Sequence, residues 1–221
     1  MAADGWQHAL ANDWRADNRE WLNANAKGKS FADIGGMWGT YWGAFEAVDA
    51  GADPVMMLDV NPITDEYKAA IGDREVSFLQ GDLHDEKILR KIDQADIVLC
   101  SGVIYHCPNP LDTLECLRRI TKEHLILTCS AMLNEAANPP NGMVYLPGLT
   151  PEQRVELVAH NPDVIGANGA LMDFAPDEGY WNWFFCFTPS SLRSMLETAG
   201  FEVLDERHYP GLYWVLTRPG G

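Results

Sequence analysis

The stretch Phe31-Ala-Asp-Ile-Gly-Gly-Met-Trp-Gly39 is a short apolar run that leads through an acid into a glycine-rich turn. Further along the chain, Val55-Met-Met-Leu-Asp59 is a second apolar run that ends in an acid. The order strand, glycine turn, helix, strand, acid predicts a nucleotide-binding βαβ unit. Gly35, Gly36 and Gly39 would let the backbone approach a ligand where a Cβ atom would clash.

The spacing of the glycine turn indicates which nucleotide it suits. A dinucleotide loop usually reads G-x-G-x-x-G and holds a pyrophosphate on a helix N-terminus. Here the spacing is D-x-G-G-x-x-G, and Asp33 would repel a pyrophosphate but suits a ligand with a cationic end. The loop resembles the first motif of the class I S-adenosylmethionine (SAM)-dependent methyltransferases, acid–x–Gly–x–(Gly or x)–x–Gly. A plain strand–turn–helix is the alternative for this loop alone.

Three further apolar runs predict strands, at Val76–Asp82, Ala95–Ser101 and His124–Cys129. Runs without internal charges indicate strands buried on both faces, as in a parallel sheet covered by helices. The segments between them have apolar residues at helical spacing, such as Leu111, Leu114, Leu117 and Ile120. The sequence therefore predicts an α/β fold.

Several helix starts have a capping residue followed by proline, and Gly200 is expected to end the last helix. These starts are Asn61-Pro62, Asn109-Pro110, Thr150-Pro151 and Thr188-Pro189. After Gly200, two apolar runs joined by Tyr209-Pro-Gly-Leu212 predict an antiparallel hairpin.

The helix–Gly–Phe entry and the final hairpin strengthen the resemblance, which covers roughly residues 30–129 and 188–218. The resemblance implies a three-layer Rossmann-like sandwich. Its seven-stranded, mostly parallel sheet would have the order 3-2-1-4-5-7-6, with the last strand antiparallel.

Length and composition favour one domain over residues 1–221, since the chain is 47% hydrophobic. The sequence has no signal peptide and no apolar run long enough to cross a membrane. Five cysteines without a C-x-x-C pair indicate reduced thiols, and hence a cytoplasmic protein. The six histidines are scattered, so we expect no metal site.

The charge balance disfavours a nucleic-acid partner. Sixteen basic residues against 32 acidic ones give a formal charge of −16. Binding a phosphate backbone requires a basic surface. The two local basic clusters, around Lys87–Lys91 and Arg118–Lys122, fall on predicted helices, where solvated faces are the simpler interpretation.

The resemblance assigns a cofactor site residue by residue, for SAM and its product S-adenosylhomocysteine (SAH). Asp33 and the loop glycines would surround the methionine part, Asp59 the ribose, and Asp82 with Leu83 the adenine. Ser101 and Gly102 would face the sulfonium. The matched positions are Asp33, Gly35, Gly36, Gly39, Asp59, Asp82, Leu83, Ser101 and Gly102. Asp82 as a turn or cap residue is the alternative.

Methyl transfer from a sulfonium depends mainly on alignment and desolvation, and needs a base only when the acceptor keeps its proton. His106 follows the fourth strand and is the candidate base; a histidine that only orients this loop is the alternative. Tyr105 could shape the methyl pocket or hold the acceptor.

Two segments outside the core are expected to select the acceptor. Residues 4–26 place Trp6, Leu10, Trp14 and Trp21 on one helical stripe, which predicts either a lid or a helix docked on the sheet. Residues 130–187 form a long insertion, and six of the eight residues in Tyr180–Phe187 are aromatic. They form either a buried strand or an aromatic wall. The candidate acceptor-binding residues are Trp38, Tyr180, Trp181, Trp183 and Phe184.

Residues 131–187 contain one basic residue, Arg154, and seven acids, which favours a neutral or cationic acceptor. The hypothesis is methylation of O or N of a small aromatic or amine-bearing molecule by a monomer or homodimer. The run Gly102–Leu111 is also similar to enzymes that carboxymethylate the wobble uridine of tRNA. A SAM-binding methyltransferase-like domain without catalysis is the third hypothesis.

Overall fold

The computed structural model describes residues 13–37, 42–162, 164, 171, 173–209 and 211–221. Most strands lie where apolar runs predict them. The strands are β1 (Phe31–Ile34), β2 (Val55–Asp59), β3 (Ser77–Gln80), β4 (Ala95–Ser101), β5 (Thr121–Cys129), β6 (Met143–Tyr145), β7 (Phe185–Phe187), β8 (Phe201–Tyr209) and β9 (Leu212–Pro219).

Helices connect most of these strands, and short 3-10 turns lie at 104–106, 146–148 and 176–181. The helices with fully described bounds are α1 (Asp13–Asn25), α2 (Trp42–Asp49), α3 (Asp65–Ile71), α4 (Glu86–Leu89), α5 (Pro110–Ile120), α6 (Pro151–His160) and α7 (Pro189–Thr198).

The main sheet has seven strands in the order β3-β2-β1-β4-β5-β9-β8. Strands β1 to β5 pair in parallel, whereas β9 is antiparallel to both β5 and β8. The predicted Rossmann-like fold is confirmed, since this order matches 3-2-1-4-5-7-6 once β6 and β7 are set apart. These two strands form a separate sheet inside the insertion.

Every residue of β1 and β4 is buried because helices cover both faces of the sheet. One face packs on α5 and α7 through Leu114, Leu117 and Leu192. The other face packs on α1 and α2 through residues that include Leu22 and Ala44. Burial on both faces therefore explains why these strands are apolar runs, as the sequence indicates.

Helices start at three of the four proline sites, although Asn109 makes no capping hydrogen bond through its side chain. Thr150 and Gln153 form a capping box at α6, and Thr188 caps α7 by accepting from the Ser191 amide. The prediction at Asn61-Pro62 is wrong, since Thr64 caps α3 by accepting from the Tyr67 amide. Asn61 instead donates to Asp59 through its backbone and its side chain.

Helix α1 docks on the sheet-covering layer. Trp14 is buried and contacts Trp42 with ring centroids 5.1 Å apart. Asp17 accepts a hydrogen bond from the Tyr209 hydroxyl, and its carboxylate lies 2.6 Å from Arg207. The contacts of residues 13–25 therefore agree with a helix docked on the sheet. Trp6 and Leu10 lie outside the described residues.

Candidate active site

The turns after β1 and β4 meet at the carboxyl edge of the sheet. Gly35 has φ +79°, and a Cβ atom there would lie 2.3 Å from Cγ2 of Val103. Its amide donates to the Leu58 carbonyl at 2.8 Å, which ties the turn to β2. Because β1 lies between β2 and β4, this edge is the topological switch point where ligands bind in open α/β sheets.

Asp33 lies beneath the glycine turn rather than at its surface. Its side chain is buried, and Oδ2 accepts from the Ala44 amide at 3.0 Å, near the start of α2. A Cβ atom at Gly36 or Gly43 would lie 2.7 Å or 2.9 Å from the same oxygen. Burial raises the pKa of Asp33 to about 8, against the lowering effect of the Ala44 hydrogen bond. This position differs from the predicted one, in which the carboxylate faces a cation.

Asp59 lies at the end of β2, as the sequence predicts, and is buried. Its Oδ2 accepts from the Met37 amide at 2.8 Å, and Oδ1 accepts from the Asn61 amide at 2.8 Å. The carboxylate thus fixes the glycine turn to the loop after β2. Val60, the next residue, exposes 38% of its surface, and the sequence analysis did not single it out.

Asp82 follows β3 and contacts the insertion. Its Oδ2 accepts from the Tyr180 hydroxyl at 2.7 Å, and its Oδ1 from the His84 amide at 2.9 Å. The His84 ring nitrogen Nδ1 lies 2.9 Å from Oδ1. Burial by itself would raise the pKa of Asp82, but these hydrogen bonds outweigh it and lower the pKa. The sequence analysis missed His84, because only the fold brings it between Asp82 and Tyr180.

Three other predicted cofactor residues have mainly structural contacts. Leu83 is buried in the core, and Ser101 is the last residue of β4, with its Oγ 2.8 Å from Thr128 Oγ1. Their predicted contacts with the cofactor stay predictions. Gly102 has φ +73°, and a Cβ atom there would lie 3.4 Å from the Tyr105 hydroxyl.

His106 lies in the 3-10 turn after β4, and the insertion fixes its ring. Its Nδ1 lies 2.9 Å from the Asn182 carbonyl oxygen. Because a carbonyl only accepts, Nδ1 carries the proton and Nε2 holds the lone pair. Burial lowers the pKa of His106 to about 4, although the bond to Asn182 opposes this. The ring is therefore neutral at physiological pH.

Aromatic residues of the insertion pack directly on this turn. The ring of Trp183 lies 4.5 Å from that of Tyr105 and 5.8 Å from that of His106, between centroids. The Phe184 amide donates to the Tyr105 carbonyl at 2.8 Å. Burial raises the pKa of Tyr105, so its phenol keeps its proton. Phe184 is buried, whereas Trp181 exposes half of its surface.

Asn182, Trp183 and Phe184 therefore contact Tyr105 or His106, whereas Tyr180 contacts Asp82. In this aromatic run, Phe185–Phe187 form a strand. The strand interpretation applies to Phe185–Phe187, and an aromatic wall for the acceptor stays a prediction. Trp38 and Gly39, predicted to bind acceptor and cofactor, lie outside the described residues.

A cavity of about 320 Å³ opens at the same edge of the sheet, beyond β5. Residues after β5, residues after α6 and the β8–β9 hairpin line it. Polar lining residues are Asn134, Glu135, Asn161, His208, Tyr209 and Tyr213. The sequence analysis did not predict these positions, because the hairpin and the insertion meet only in the folded chain.

Comparison with protein families decides the assignment. The profile described as a methyltransferase domain matches residues 6–206, which is most of the chain. The chain belongs to this methyltransferase family. A comparison of the sequence with curated proteins found no relative.

Solved structures resemble the methyltransferase at low sequence identity. Magnesium protoporphyrin IX methyltransferase from Synechocystis PCC 6803, with bound SAH, has 15% identity and a TM-score of 0.57, over 93% of this chain and 81% of that one. An O-methyltransferase family protein from Burkholderia thailandensis has 14% identity and a TM-score of 0.61, over 93% and 55%.

A protein from Rhodobacter sphaeroides, provisionally named a Zn-dependent alcohol dehydrogenase, has 14% identity and a TM-score of 0.62, over 93% and 90%. At such identities the likeness shows the fold alone.

The family match confirms the predicted class I SAM-dependent methyltransferase family and the predicted enzyme class. In the part of the chain that the structure describes, no three His, Cys, Asp or Glu side chains are grouped to hold a metal ion. No helix among the described residues has the length and apolar character needed to cross a bilayer. The acceptor and the residues that bind it are matters for proposal.

Proposed function

We propose that this methyltransferase moves a methyl group from SAM to O or N of a small aromatic or amine-bearing molecule. The observation that carries this proposal is the orientation of His106. Its Nδ1 is bonded to the Asn182 carbonyl, which leaves Nε2 as the proton acceptor beside Tyr105 and Trp183. A neutral, oriented imidazole next to an aromatic wall suits an acceptor that must lose a proton.

The described residues fit SAM at the edge formed by the first three strands. Asp59 and Asp82 follow β2 and β3, where they would bind ribose hydroxyls and the adenine amine. Asp33 Oδ1 is buried and has no hydrogen-bond partner among the described residues. A nearby cationic ligand would give this oxygen a charged partner. Gly35 allows the close backbone approach. When bound, SAM supplies an electrophilic methyl group with a good leaving group.

The residues around β4 would then act on the acceptor. His106 Nε2 would accept the proton of the acceptor's hydroxyl group as the new O–C bond to the methyl forms. An ammonium group would first lose its proton to Nε2, and the free amine would then attack the methyl. Tyr105 and Trp183 would exclude water and align the acceptor through their rings, because alignment and desolvation dominate this kind of transfer. Tyr180, Trp181 and Phe184 would complete the aromatic wall.

The acceptor is proposed to be small and not polyanionic. Residues 131–187 contain one basic residue, Arg154, and seven acids. One of these acids, Glu135, lines the cavity beyond β5, which Tyr105, His106 and Trp183 do not line. A hydrogen bond from the Ser190 side chain, followed by one from its backbone, lowers the pKa of Glu135, so this carboxylate is ionised at neutral pH. This charge favours a neutral or amine-bearing acceptor.

The insertion at 130–187 is proposed as the acceptor-binding element of a single domain over 1–221. The lid is proposed only for the part of residues 4–26 that precedes α1. That part lies outside the described residues. A cytoplasmic location is proposed because all five cysteines are free and buried thiols.

The tRNA hypothesis lacks a basic face among the described residues. Arg119 binds Glu86, Arg118 donates to the Gly200 carbonyl, and Lys122 lies 2.6 Å from Asp96. These cations are held by partners within the fold. The phosphates of a nucleic acid would also be repelled by a chain whose formal charge is −16.

The first test is calorimetric titration with SAH, with NADH as the control, after checking for ligand carried through purification. We expect SAH alone to bind, and Asp59→Ala to weaken its affinity about 10- to 100-fold, the size of hydrogen bonds to a charged group. Turnover would then be screened on phenols, amines and tRNA. Binding of neither ligand to an empty site would favour the non-catalytic hypothesis, and modification of tRNA alone would refute the small-molecule acceptor.

A further inference from the structure

One short segment of the insertion, residues 180–184, contacts both halves of the site. At one end, the Tyr180 hydroxyl donates to Asp82 at 2.7 Å. Two residues on, the Asn182 carbonyl accepts from His106, and the Phe184 amide donates to the Tyr105 carbonyl. The acid expected to bind adenine and the candidate base are therefore joined through a few residues of backbone.

The hydrogen bonds of Asp82 leave room for a ligand. An ionised carboxylate offers about four acceptor positions. Three donors face Asp82, which are the His84 amide, the His84 ring and the Tyr180 hydroxyl. The remaining position is on Oδ2, the oxygen that Tyr180 binds. One N–H group of an adenine amine can thus bind Asp82 while Tyr180 keeps its own bond.

Two more contacts hold Tyr180 in place. His84 Nδ1 lies 3.1 Å from the Tyr180 hydroxyl, and the two rings stack with centroids 6.4 Å apart. His84 Nε2 lies 2.9 Å from Thr113 Oγ1, on α5. Asn182 is buried and its Nδ2 donates to the Ala175 and Gly179 carbonyls, which stiffens the segment between the two sites.

We propose that Tyr180 is a positioning residue that links the adenine end of the cofactor site to the orientation of His106. This inference rests on the proposed function. The hydroxyl holds Asp82 in the orientation that accepts one more donor, and it anchors the segment whose Asn182 carbonyl keeps His106 in one tautomer. Adenine bound to Asp82 tightens the Tyr180 contact and, through Asn182, the contact with His106.

The test compares Tyr180→Phe with Tyr145→Phe in the full chain. Tyr145 lies in the same insertion, is half exposed, and its hydroxyl makes no hydrogen bond with the described residues. We expect Tyr180→Phe to raise the Kd for SAH about tenfold, because Asp82 is no longer held in the orientation that accepts the adenine amine. We expect no change in Tyr145→Phe.

The second readout is the tautomer of His106, followed by ¹⁵N NMR of the ring and assigned by the signals lost in His106→Gln. The unmutated protein should show the Nδ1–H form, and Tyr180→Phe a mixture of tautomers. Unchanged SAH affinity and an unchanged tautomer in Tyr180→Phe would overturn the inference while leaving the proposed function intact. Failure of the unmutated protein to bind SAH would contradict the proposed function and the adenine end of this link.

If Tyr180→Phe does not fold, adenosine provides the test on the unmutated chain. Adenosine lacks the amino-acid part of SAH, so it engages the adenine and ribose positions. Its titration should shift the His106 ring signals if the two ends are linked. Saturation with adenosine that leaves these signals unchanged would overturn the inference.

Discussion

Asp33 shows how burial changes the role of an acid in a motif. In the sequence it precedes the glycines and suits a cationic ligand. In the fold its carboxylate lies beneath the turn, bonded to the Ala44 amide and crowded by Gly36 and Gly43. Asp33 thus anchors the start of α2, and a ligand cation would act on it from above the turn.

The raised pKa of Asp33 makes stability depend on pH. Its folded pKa is about 8, against an ordinary value of 3.8. The stabilisation is therefore complete below about pH 4 and is lost as pH rises through about 8. Between pH 5 and 8, we expect the unfolding free energy to fall more in the unmutated protein than in Asp33→Asn, by a difference on the order of 4 kcal/mol.

Urea unfolding at both pH values measures this difference. The exposed acid Asp73, changed to Asn, is the matched control and should leave the pH dependence of the unmutated protein in place. If the unfolding free energy changes equally with pH in Asp33→Asn and in the unmutated protein, Asp33 is ionised in the fold.

His106 carries a prediction about the pH dependence of activity. With a pKa of about 4, lowered from 6.5 by burial, it remains deprotonated across neutral pH. We expect no inflection from His106 in kcat/KM between pH 5.5 and 8. We expect His106→Gln to lower kcat about 10²- to 10⁴-fold, the usual range for a general base. The exposed His160, changed to Gln, should retain full activity. Full activity in His106→Gln would make His106 an orienting residue only.

At the scale of the elements, the contact between the turns after β1 and β4 is tested by Gly35→Ala. Gly28 and Gly35 both have positive φ, +70° and +79°, but a Cβ atom at Gly28 meets nothing within 4 Å. Gly28→Ala should therefore cost only the backbone strain, about 1–2 kcal/mol. Gly35→Ala should cost about 1–3 kcal/mol more, because it overlaps Val103.

Chemical denaturation of the two variants measures the cost of that overlap. Adding Val103→Ala to Gly35→Ala should recover part of the loss. Equal destabilisation at Gly28 and Gly35 would show that the two turns are not in tight contact.

The elements that sequence predicts best are those with local causes. Thr150 and Thr188 start helices because their own hydroxyls bind amides three residues on. The apolar runs at β1 and β4 become strands that are covered on both faces. Asn61 misled the prediction since its side chain binds Asp59 instead of capping a helix. Tyr180 could not be assigned to Asp82, because the two residues are 98 positions apart and only tertiary packing joins them.

At the scale of the whole molecule, the charge of −16 should oppose compactness. Added salt screens this repulsion more than it weakens exposed ion pairs such as Arg218–Glu202 and Lys68–Asp65, which contribute little. We expect the Tm to rise by a few degrees between 10 and 300 mM NaCl. Calorimetry with a neutral osmolyte at matched osmolality is the control. A Tm that falls with salt would mean that the ion pairs outweigh the repulsion.

The order of motifs along the chain predicts parallel strands and a final hairpin, whereas the strand order came from the resemblance to the class I methyltransferases. The way in which the insertion packs on the rest of the fold was not predictable. Its strand β7 joins the fold where the Phe187 amide donates to the Ala131 carbonyl, and such a bond has no local signal in the sequence.

The outermost strand, β8, also bears on how copies of this protein can meet. It contains Glu202, Asp205 and Glu206, and its register shifts between Val203 and Asp205. A charged edge with an irregular ladder is a poor template for another strand, so it resists the edge-to-edge pairing that leads to aggregation. A dimer of this enzyme is therefore not expected to form by pairing two copies of β8.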